Sequence, residues 1–345
     1  MIRCALLTLG SVLIRVANPE SLGLGSKPGL LSALHWGLKW ALPVWAVVEI
    51  NQVLNRWAVN RWSLTTDKSA WNWESEIAVV TGGSAGIGAC VVKRLVSYGI
   101  RVAVLDVSPL SDVFTKDELV LVRFYRCDIT SPDNIRQAAQ AIRADWGHPS
   151  ILINNAGIGN AWPILEISQE RLKSMFDINI LSHWSTVQEF LPDMLAKKKG
   201  HIMAVASLAS FVALAGAADY SCTKAAVLAF HEGLTTELKH RYKCPQIHTS
   251  IIHPDWTKSA LTAHSAISSG LEKKGANLLE TEHVAEAMVN QIIAAESGQI
   301  VLGPFINRTV GPLIRALPLW WQEYIRDDQA YIVTGNGTTG KLDSH

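Results

Sequence analysis

A short apolar run that leads into a glycine-rich turn constrains this chain more than any other feature. Ile77–Val80 form the run, and the turn Thr81–Gly88 (TGGSAGIG) follows directly before a helical pattern. Glycines let the backbone approach a ligand closely, and the amides at a helix N-terminus attract phosphate. The order predicts a diphosphate site, although an ordinary strand-to-helix turn also explains a lone glycine motif. The residues assigned to cofactor contacts in the turn are Thr81, Gly82, Ser84, Gly86, Ile87 and Gly88.

From Glu76 onward, short apolar runs alternate with helical patterns. The predicted strands are Ile77–Val80, Arg101–Leu105, Leu119–Arg126, Ile151–Asn154, His201–Val205 and Gln246–Ile252. The predicted helices are Gly86–Tyr98, Pro132–Trp146, Gln169–Leu195, Tyr220–Arg241 and Glu282–Glu296. This alternation is typical of an α/β fold with a doubly wound parallel sheet in a single domain. We place that domain at residues 76–305, with extensions at 1–75 and 306–345, and expect a loop over a substrate site at Thr257–Leu279.

An acidic residue ends the second predicted strand. Asp106 lies about 20 residues beyond the glycine turn, where a carboxylate can bind ribose hydroxyls and repel a 2′-phosphate. No lysine or arginine stands in the turn to attract that phosphate. NAD(H) is therefore favoured, and NADP(H) is not excluded. Asp128, after the third strand, is a candidate for contact with the adenine ring or for the N-cap of the next helix.

Tyr220 and Lys224 stand four residues apart on a predicted helix, so both project from one face. A nearby ammonium, together with a positive nicotinamide ring, is expected to lower the tyrosine pKa toward working pH, which suits proton exchange with a substrate oxygen. Ser207 follows a predicted strand and is a candidate to hold that oxygen, with Ser210 as its competitor. These residues predict a site for acid/base catalysis.

Together these motifs resemble the short-chain dehydrogenase/reductase family in order and spacing. The residues that carry the resemblance are Thr81–Gly88, Asn154–Gly157, Asn179, Ser207, Tyr220 and Lys224. The resemblance implies a Rossmann-type sheet of about seven strands, a catalytic tetrad of Ser207, Tyr220, Lys224 and Asn179, and a homodimer formed through the two long helices. It also implies that Asn155, Ala156 and Gly157 contact the cofactor, as do Tyr220 and Lys224. In the family, Asn179 would hold a water that relays protons through Lys224.

One stretch departs from the family pattern. After the sixth strand the family commonly has Pro-Gly followed by a threonine, whereas this chain has Pro254-Asp255 and places Ser259 where the threonine is expected. Ser259 keeps a hydroxyl for the cofactor, and Asp255 puts the local loop geometry in doubt. The sequence also resembles the branch with membrane-associated retinol, hydroxysteroid and fatty-alcohol dehydrogenases.

The termini are apolar and rich in tryptophan. Seven of the thirteen tryptophans lie in residues 1–75, with apolar runs at Cys4–Ile14 and Leu30–Val48. Such a composition is typical of a membrane interface. We expect a membrane-associated protein on the endoplasmic reticulum or lipid droplets, with its catalytic domain facing the cytosol. Whether the N-terminus spans the membrane as a helix or lies on it as a helical hairpin stays open, as do a buried helix and a cleaved signal peptide. The apolar tail Val301–Arg326 is expected to lie near the anchor or in lipid.

Charge and composition exclude several classes of function. A formal charge of +1 offers no basic face for nucleic acid. The five cysteines form no Cys-x-x-Cys pair and the histidines no ligand cluster, so no metal site is predicted. The main hypothesis is an oxidoreductase that interconverts a lipophilic alcohol and its ketone or aldehyde. The alternatives are a soluble tailoring enzyme of a secondary metabolite and a non-catalytic nucleotide-binding scaffold on a membrane.

Overall fold

The computed structural model describes residues 28–62 and 68–333. The chain divides into two compact units, Met1–Trp62 and Ser63–His345. In the first unit the described residues form one helix, α1 (Pro28–Val59), with Pro43 inside it. The predicted run Leu30–Val48 is therefore part of a single helix, and Cys4–Ile14 lies outside the described residues. Among the helices of the two described ranges, none has both the length and the hydropathy needed to cross a bilayer.

The second unit is built on a parallel sheet of seven strands in the order β3-β2-β1-β4-β5-β6-β7. The strands are β1 (Ile77–Thr81), β2 (Arg101–Asp106), β3 (Val122–Arg126), β4 (Ile151–Asn154), β5 (Gly200–Val205), β6 (Ile247–Pro254) and β7 (Gly298–Leu302). This confirms the predicted doubly wound α/β fold. The central strands β1, β4, β5 and β6 are buried along their whole length because helices cover both faces of the sheet.

Helices on both faces of the sheet form two apolar cores. The helices of this unit are α2 (Gly86–Val96), α3 (Pro132–Asp145), α4 (Gln169–Phe176), α5 (Ser182–Lys197), α6 (Ala218–His240), α7 (Ser265–Lys273), α8 (Thr281–Ile293), α9 (Phe305–Val310) and α10 (Leu319–Gln329). Alternate residues of β1 serve opposite cores: Val79 packs on the side of α3 and α5, whereas Val80 packs on the side of α2 and α8. The two-residue period of a strand thus divides one apolar run between two layers.

Three predicted elements are corrected by the structure. The predicted helix Gln169–Leu195 is interrupted by a π-helical turn at Asp177–Leu181, which separates α4 from α5. The predicted loop Thr257–Leu279 contains α7, which begins where the His264 side chain accepts a hydrogen bond from the Ala266 amide. The third strand begins at Val122 because the residues before it form a short 3₁₀ turn, Glu118–Val120.

The C-terminal segment returns to the body of this unit. The predicted tail Val301–Arg326 begins inside β7 and continues through α9, a 3₁₀ turn and α10. Beyond α10, Ile332 and Val333 are buried against residues of α7 and of the loop before α6. Gly270 in α7 makes this approach feasible, since a Cβ there would lie 2.0 Å from the Ile332 carbonyl oxygen. The tail therefore belongs to the fold of the second unit.

Candidate active site

A cavity of about 990 Å³ lies at the carboxyl ends of the strands. It extends from the glycine turn after β1 to the C-terminal residues Ile332 and Val333. Strand order reverses beside β1, since β2 lies on one side and β4 on the other. Ligands of doubly wound sheets bind in the crevice at such a switch point.

Asn155 holds the glycine turn against β4. Its Nδ2 donates to the carbonyl oxygens of Thr81 and Gly82, both at 3.0 Å. The Thr81 hydroxyl accepts from the amides of Asn155 at 3.0 Å and Ala156 at 3.1 Å. Thr81 is buried and supports the turn from behind, whereas Gly82, Asn155 and Ala156 line the cavity.

Two glycines shape the turn for different reasons. Gly86 has φ +55°, and a Cβ there would meet nothing within 4 Å, so the position needs its left-handed backbone rather than space. At Gly88 a Cβ would lie 2.1 Å from the Gly82 carbonyl oxygen. Ala85 is the N-cap of α2 and offers no side-chain acceptor to the amides of the first turn. Gly86, Ile87 and Gly88 all line the cavity, so this cradle fits a diphosphate.

Asp106 ends β2 at the cavity wall and is held from two sides. Its Oδ2 accepts from the Ser84 amide at 3.1 Å and its Oδ1 from the Ser108 amide at 3.0 Å. The buried Ser84 hydroxyl donates to the Ser108 carbonyl oxygen at 2.9 Å, so this side chain supports the loop after β2. The carboxylate keeps further lone pairs for a ligand donor.

Asp128 also lines the cavity, after β3. The N-cap of α3 is Ser131, whose hydroxyl accepts from the Asn134 amide. The alternative of Asp128 as that N-cap is therefore wrong. Its Oδ1 accepts instead from the amide and hydroxyl of Thr130, at 2.9 and 2.8 Å.

Ser207, Tyr220 and Lys224 all line the cavity, and Ser207 is hydrogen-bonded to Tyr220. Ser207 follows β5, while Tyr220 and Lys224 lie one turn apart in α6. Lys224 Nζ donates to the Val205 carbonyl oxygen at 2.9 Å and lies 5.5 Å from the centre of the Tyr220 ring. The competing hydroxyl of Ser210 is buried and donates to the Lys224 carbonyl oxygen at 2.8 Å. The geometry thus favours Ser207 as the hydroxyl that faces a ligand.

Burial dominates the electrostatics of this group. It raises the pKa of Tyr220 to about 12, against an opposing effect of the hydrogen bond with Ser207. Burial also lowers the pKa of Lys224 to about 8. Burial thus acts against the lowering of the Tyr220 pKa expected from Lys224 and a nicotinamide ring, and that lowering stays a prediction.

Asn179 lies in the π-helical turn behind this wall and is fully buried. Its Oδ1 accepts from the Ile158 amide at 2.8 Å, and its Nδ2 donates to the Ile158 carbonyl oxygen at 2.9 Å and to the Thr223 hydroxyl at 3.1 Å. These bonds occupy its polar atoms and hold the loop after β4, whose Gly157 lines the cavity. A role for Asn179 in binding water stays a prediction.

Asp255, the departure from the family pattern, joins β6 to the C-terminal segment. Its Oδ1 accepts from the Trp256 amide and its Oδ2 from Asn307 Nδ2, both at 2.8 Å. Gly303 packs against it, since a Cβ there would lie 2.9 Å from Asp255 Cβ. Ser259 lines the cavity nearby, and its amide donates to the Thr262 hydroxyl at 3.0 Å.

Sequence reasoning missed the contribution of the C-terminal segment to the cavity. One part of the cavity is apolar and is lined by Leu214, Trp256, Ile267, Ile314, Ile332 and Val333. The predicted loop over a substrate site contains Ile267, whereas Ile314 lies in the tail whose predicted place is near the anchor or in lipid. Long-range packing brings Ile332 and Val333 into the same apolar cluster as Tyr220.

Several known proteins are similar to this chain in sequence. A family profile described as short chain dehydrogenase matches residues 76–269. The chain is 40% identical to Dehydrogenase RED2 of Cochliobolus heterostrophus over 187 residues, which are 54% of this chain and 70% of that protein. It is 25% identical to Estradiol 17-beta-dehydrogenase 11 of Macaca fascicularis over 247 residues, 70% of this chain and 79% of that protein.

Solved structures share the fold. The aldohexose dehydrogenase of Thermoplasma acidophilum in its ligand-free form matches with a TM-score of 0.55 and 20% identity, covering 66% of this chain and 92% of that chain. At that identity the match supports the architecture alone.

Proposed function

The chain belongs to the short-chain dehydrogenase family, whose members are NAD(P)-dependent oxidoreductases, and we propose that it interconverts a lipophilic alcohol and its ketone or aldehyde. One observation carries the proposal. Ser207, Tyr220 and Lys224 converge on a cavity that has a phosphate cradle at one end and an apolar wall at the other. A hydride carrier and an apolar alcohol fit these two ends.

In the proposed mechanism the Tyr220 hydroxyl exchanges a proton with the substrate oxygen. The Ser207 hydroxyl donates a hydrogen bond to the same oxygen and stabilises its developing charge. The buried ammonium of Lys224 lies close enough to the Tyr220 ring to favour the phenolate. A bound nicotinamide cofactor supplies or accepts the hydride. Burial raises the pKa of Tyr220 to about 12, so the oxidative direction, which needs the phenolate, would be favoured by further positive charge at the site.

NAD(H) is the proposed cofactor. The Asp106 carboxylate stands at the cavity wall, where the backbone amides of Ser84 and Ser108 fix its orientation. A fixed carboxylate accepts hydrogen bonds from ribose hydroxyls and repels a 2′-phosphate. The proposed contacts from the opposite side come from Asn155, Ala156 and Gly157, which also line the cavity.

The test compares turnover by the wild type and Tyr220→Phe, over retinoid, steroid and long-chain alcohols with NAD⁺ or NADP⁺. We expect the wild type to oxidise an apolar alcohol with NAD⁺, and the variant to bind NADH, followed by its fluorescence, without turnover. Tyr324→Phe is the matched control, since Tyr324 also lines the cavity but lies far along the chain in α10. NADH binding without turnover of any substrate by the wild type would favour the non-catalytic alternative.

We also propose that the cavity opens onto a membrane surface. This surface would be the cytosolic face of the endoplasmic reticulum or a lipid droplet. Five apolar or aromatic residues of the C-terminal segment are about two-thirds exposed: Phe305, Ile306, Leu319, Trp320 and Tyr324, at 70%, 69%, 67%, 70% and 68%. Ile306 and Tyr324 also line the cavity, so the exposed patch borders its mouth. Flotation with phosphatidylcholine vesicles tests this proposal. The wild type should float with the vesicles, and the double variant Trp320→Ser with Tyr324→Ser should not. A wild type that does not float would favour the soluble tailoring enzyme.

A homodimer through α5 and α6 is the proposed assembly. Leu181 and Trp184 are 52% and 45% exposed, and the Trp184 ring packs 4.4 Å from that of Phe230 in α6. This apolar surface crosses both long helices. Light scattering after size exclusion should give a dimer for the wild type and a monomer for Trp184→Glu; a wild-type monomer would contradict the proposal.

A further inference from the structure

His253, a residue with no part in the mechanism above, reaches the backbone of Ser207. The ladder between β5 and β6 ends there: the Ala206 amide donates to the Ile252 carbonyl oxygen at 2.8 Å, and Pro254 follows two residues later. A proline nitrogen has no hydrogen to donate, so the backbone of β6 cannot continue the ladder. The side chain of His253 supplies a donor instead, with its Nδ1 3.0 Å from the Ser207 carbonyl oxygen.

The partners of His253 determine its protonation state. A carbonyl oxygen only accepts, so Nδ1 carries a proton. Nε2 lies 3.1 Å from the Nε2 of Gln299 in β7, and an amide nitrogen only donates, so the ring Nε2 is unprotonated. The ring is fully buried, and burial lowers the pKa of His253 to about 4. His253 is therefore a neutral imidazole in one fixed tautomer.

The hydrogen bond between His253 and Ser207 lies where a shift of the backbone would displace the Ser207 hydroxyl. Ser207 begins the short 3₁₀ turn Leu208–Ser210, and its carbonyl oxygen also accepts from the Ser210 amide at 3.0 Å. Two residues earlier, the Val205 carbonyl oxygen accepts from Lys224 Nζ. The end of β5 thus locates the Ser207 hydroxyl relative to the α6 pair Tyr220 and Lys224. Misplacement of a reacting group by about 1 Å can cost a hundredfold in rate.

We propose that His253 is a positioning residue for Ser207, and that Gln299 holds its ring in the tautomer able to do so. The ring links β5, β6 and β7 at the catalytic end of the sheet through its contacts with Ser207 and Gln299. The catalytic part of this inference rests on the proposed function. The structural part, that His253 holds the turn after β5, does not.

Two substitutions of His253 distinguish the loss of its hydrogen bond to Ser207 from the loss of its ring. In His253→Asn the amide nitrogen takes the place of Nδ1 and can still donate to the Ser207 carbonyl oxygen, whereas His253→Leu has no donor. His201→Leu is the matched control, because His201 is a buried histidine of β5 that pairs with Ser250 at 2.9 Å. Gln299→Leu removes the partner of Nε2 alone.

Hydrogen–deuterium exchange and steady-state kinetics provide two readouts. For His253→Leu we expect faster exchange in residues 207–211 and a fall in kcat of about tenfold or more, with an unchanged KM for NAD⁺. His253→Asn should retain slow exchange and most of kcat, and Gln299→Leu should lie between them. For His201→Leu we expect a loss of stability only, so its exchange in this turn and its kcat per folded molecule should match the wild type.

Unchanged exchange at residues 207–211 in His253→Leu would overturn the inference. Faster exchange with unchanged kcat would overturn its catalytic part. A wild type without dehydrogenase activity would overturn the proposed function, while the exchange data would still decide whether His253 holds the turn.

Discussion

Gly88→Ala and Gly86→Ala alter the same turn, but the structure predicts unequal losses of stability. At Gly88 the new Cβ would lie 2.1 Å from the Gly82 carbonyl oxygen and 2.6 Å from Asn155 Nδ2. Overpacking costs about 1–3 kcal/mol, and loss of the Asn155–Gly82 hydrogen bond adds about 1 kcal/mol. At Gly86 the Cβ meets nothing, so only the left-handed backbone contributes, about 1 kcal/mol.

Urea unfolding and thermal unfolding measure the difference. Gly88→Ala should lower the unfolding free energy by about 2–4 kcal/mol and Tm by roughly 3–7 °C, against about 2 °C for Gly86→Ala. Gly86→Asn should recover most of the stability, because asparagine tolerates the left-handed region. Gly86→Asn should nevertheless bind NADH more weakly than the wild type, because the asparagine side chain enters the open cradle of the turn. Equal unfolding midpoints for Gly88→Ala and Gly86→Ala would refute the reasoning.

Three further predictions follow from the site. Asp106→Ser should raise kcat/KM with NADP⁺ relative to NAD⁺ by about tenfold or more, and an unchanged ratio would remove Asp106 from cofactor selection. The pKa of Lys224 falls from 10.5 to about 8 on folding, so at this residue the unfolded chain binds more protons between these values, and Lys224 contributes a rise in stability with pH across that window. Lys224→Met should abolish turnover and lose this rise, and its free energy of unfolding in urea at pH 7 should exceed that of the wild type by up to about 3 kcal/mol. Equal pH dependence of stability in both proteins would count against the burial of a charged Lys224. Asp255→Gly and Asn307→Leu should each raise substrate KM severalfold without changing NADH affinity, and a double-mutant cycle with fully additive effects would show that the two side chains are not coupled.

Local signals were enough to predict the central fold and most of the site. The alternation of apolar runs and helical patterns predicted six of the seven strands, because burial on both faces leaves a continuous apolar run. The cavity is lined by the predicted residues of the turn other than Thr81 and Ser84, and by Ser207, Tyr220 and Lys224. Those positions follow from short spacings along the chain. Spacing does not show which of two neighbouring hydroxyls faces the cavity, and packing decided between Ser207 and Ser210.

The amino-acid sequence by itself determined the parallel α/β architecture, the glycine turn and the tyrosine–lysine pair, since each depends on residues a few positions apart. Tertiary structure alone decided the rest. Ile332 forms a wall of the cavity, Asn307 binds Asp255, and the ring of His253 reaches Ser207, all through contacts between residues distant in sequence. The raised pKa of Tyr220 has the same origin, because desolvation depends on every element packed around the phenol and on no local pattern.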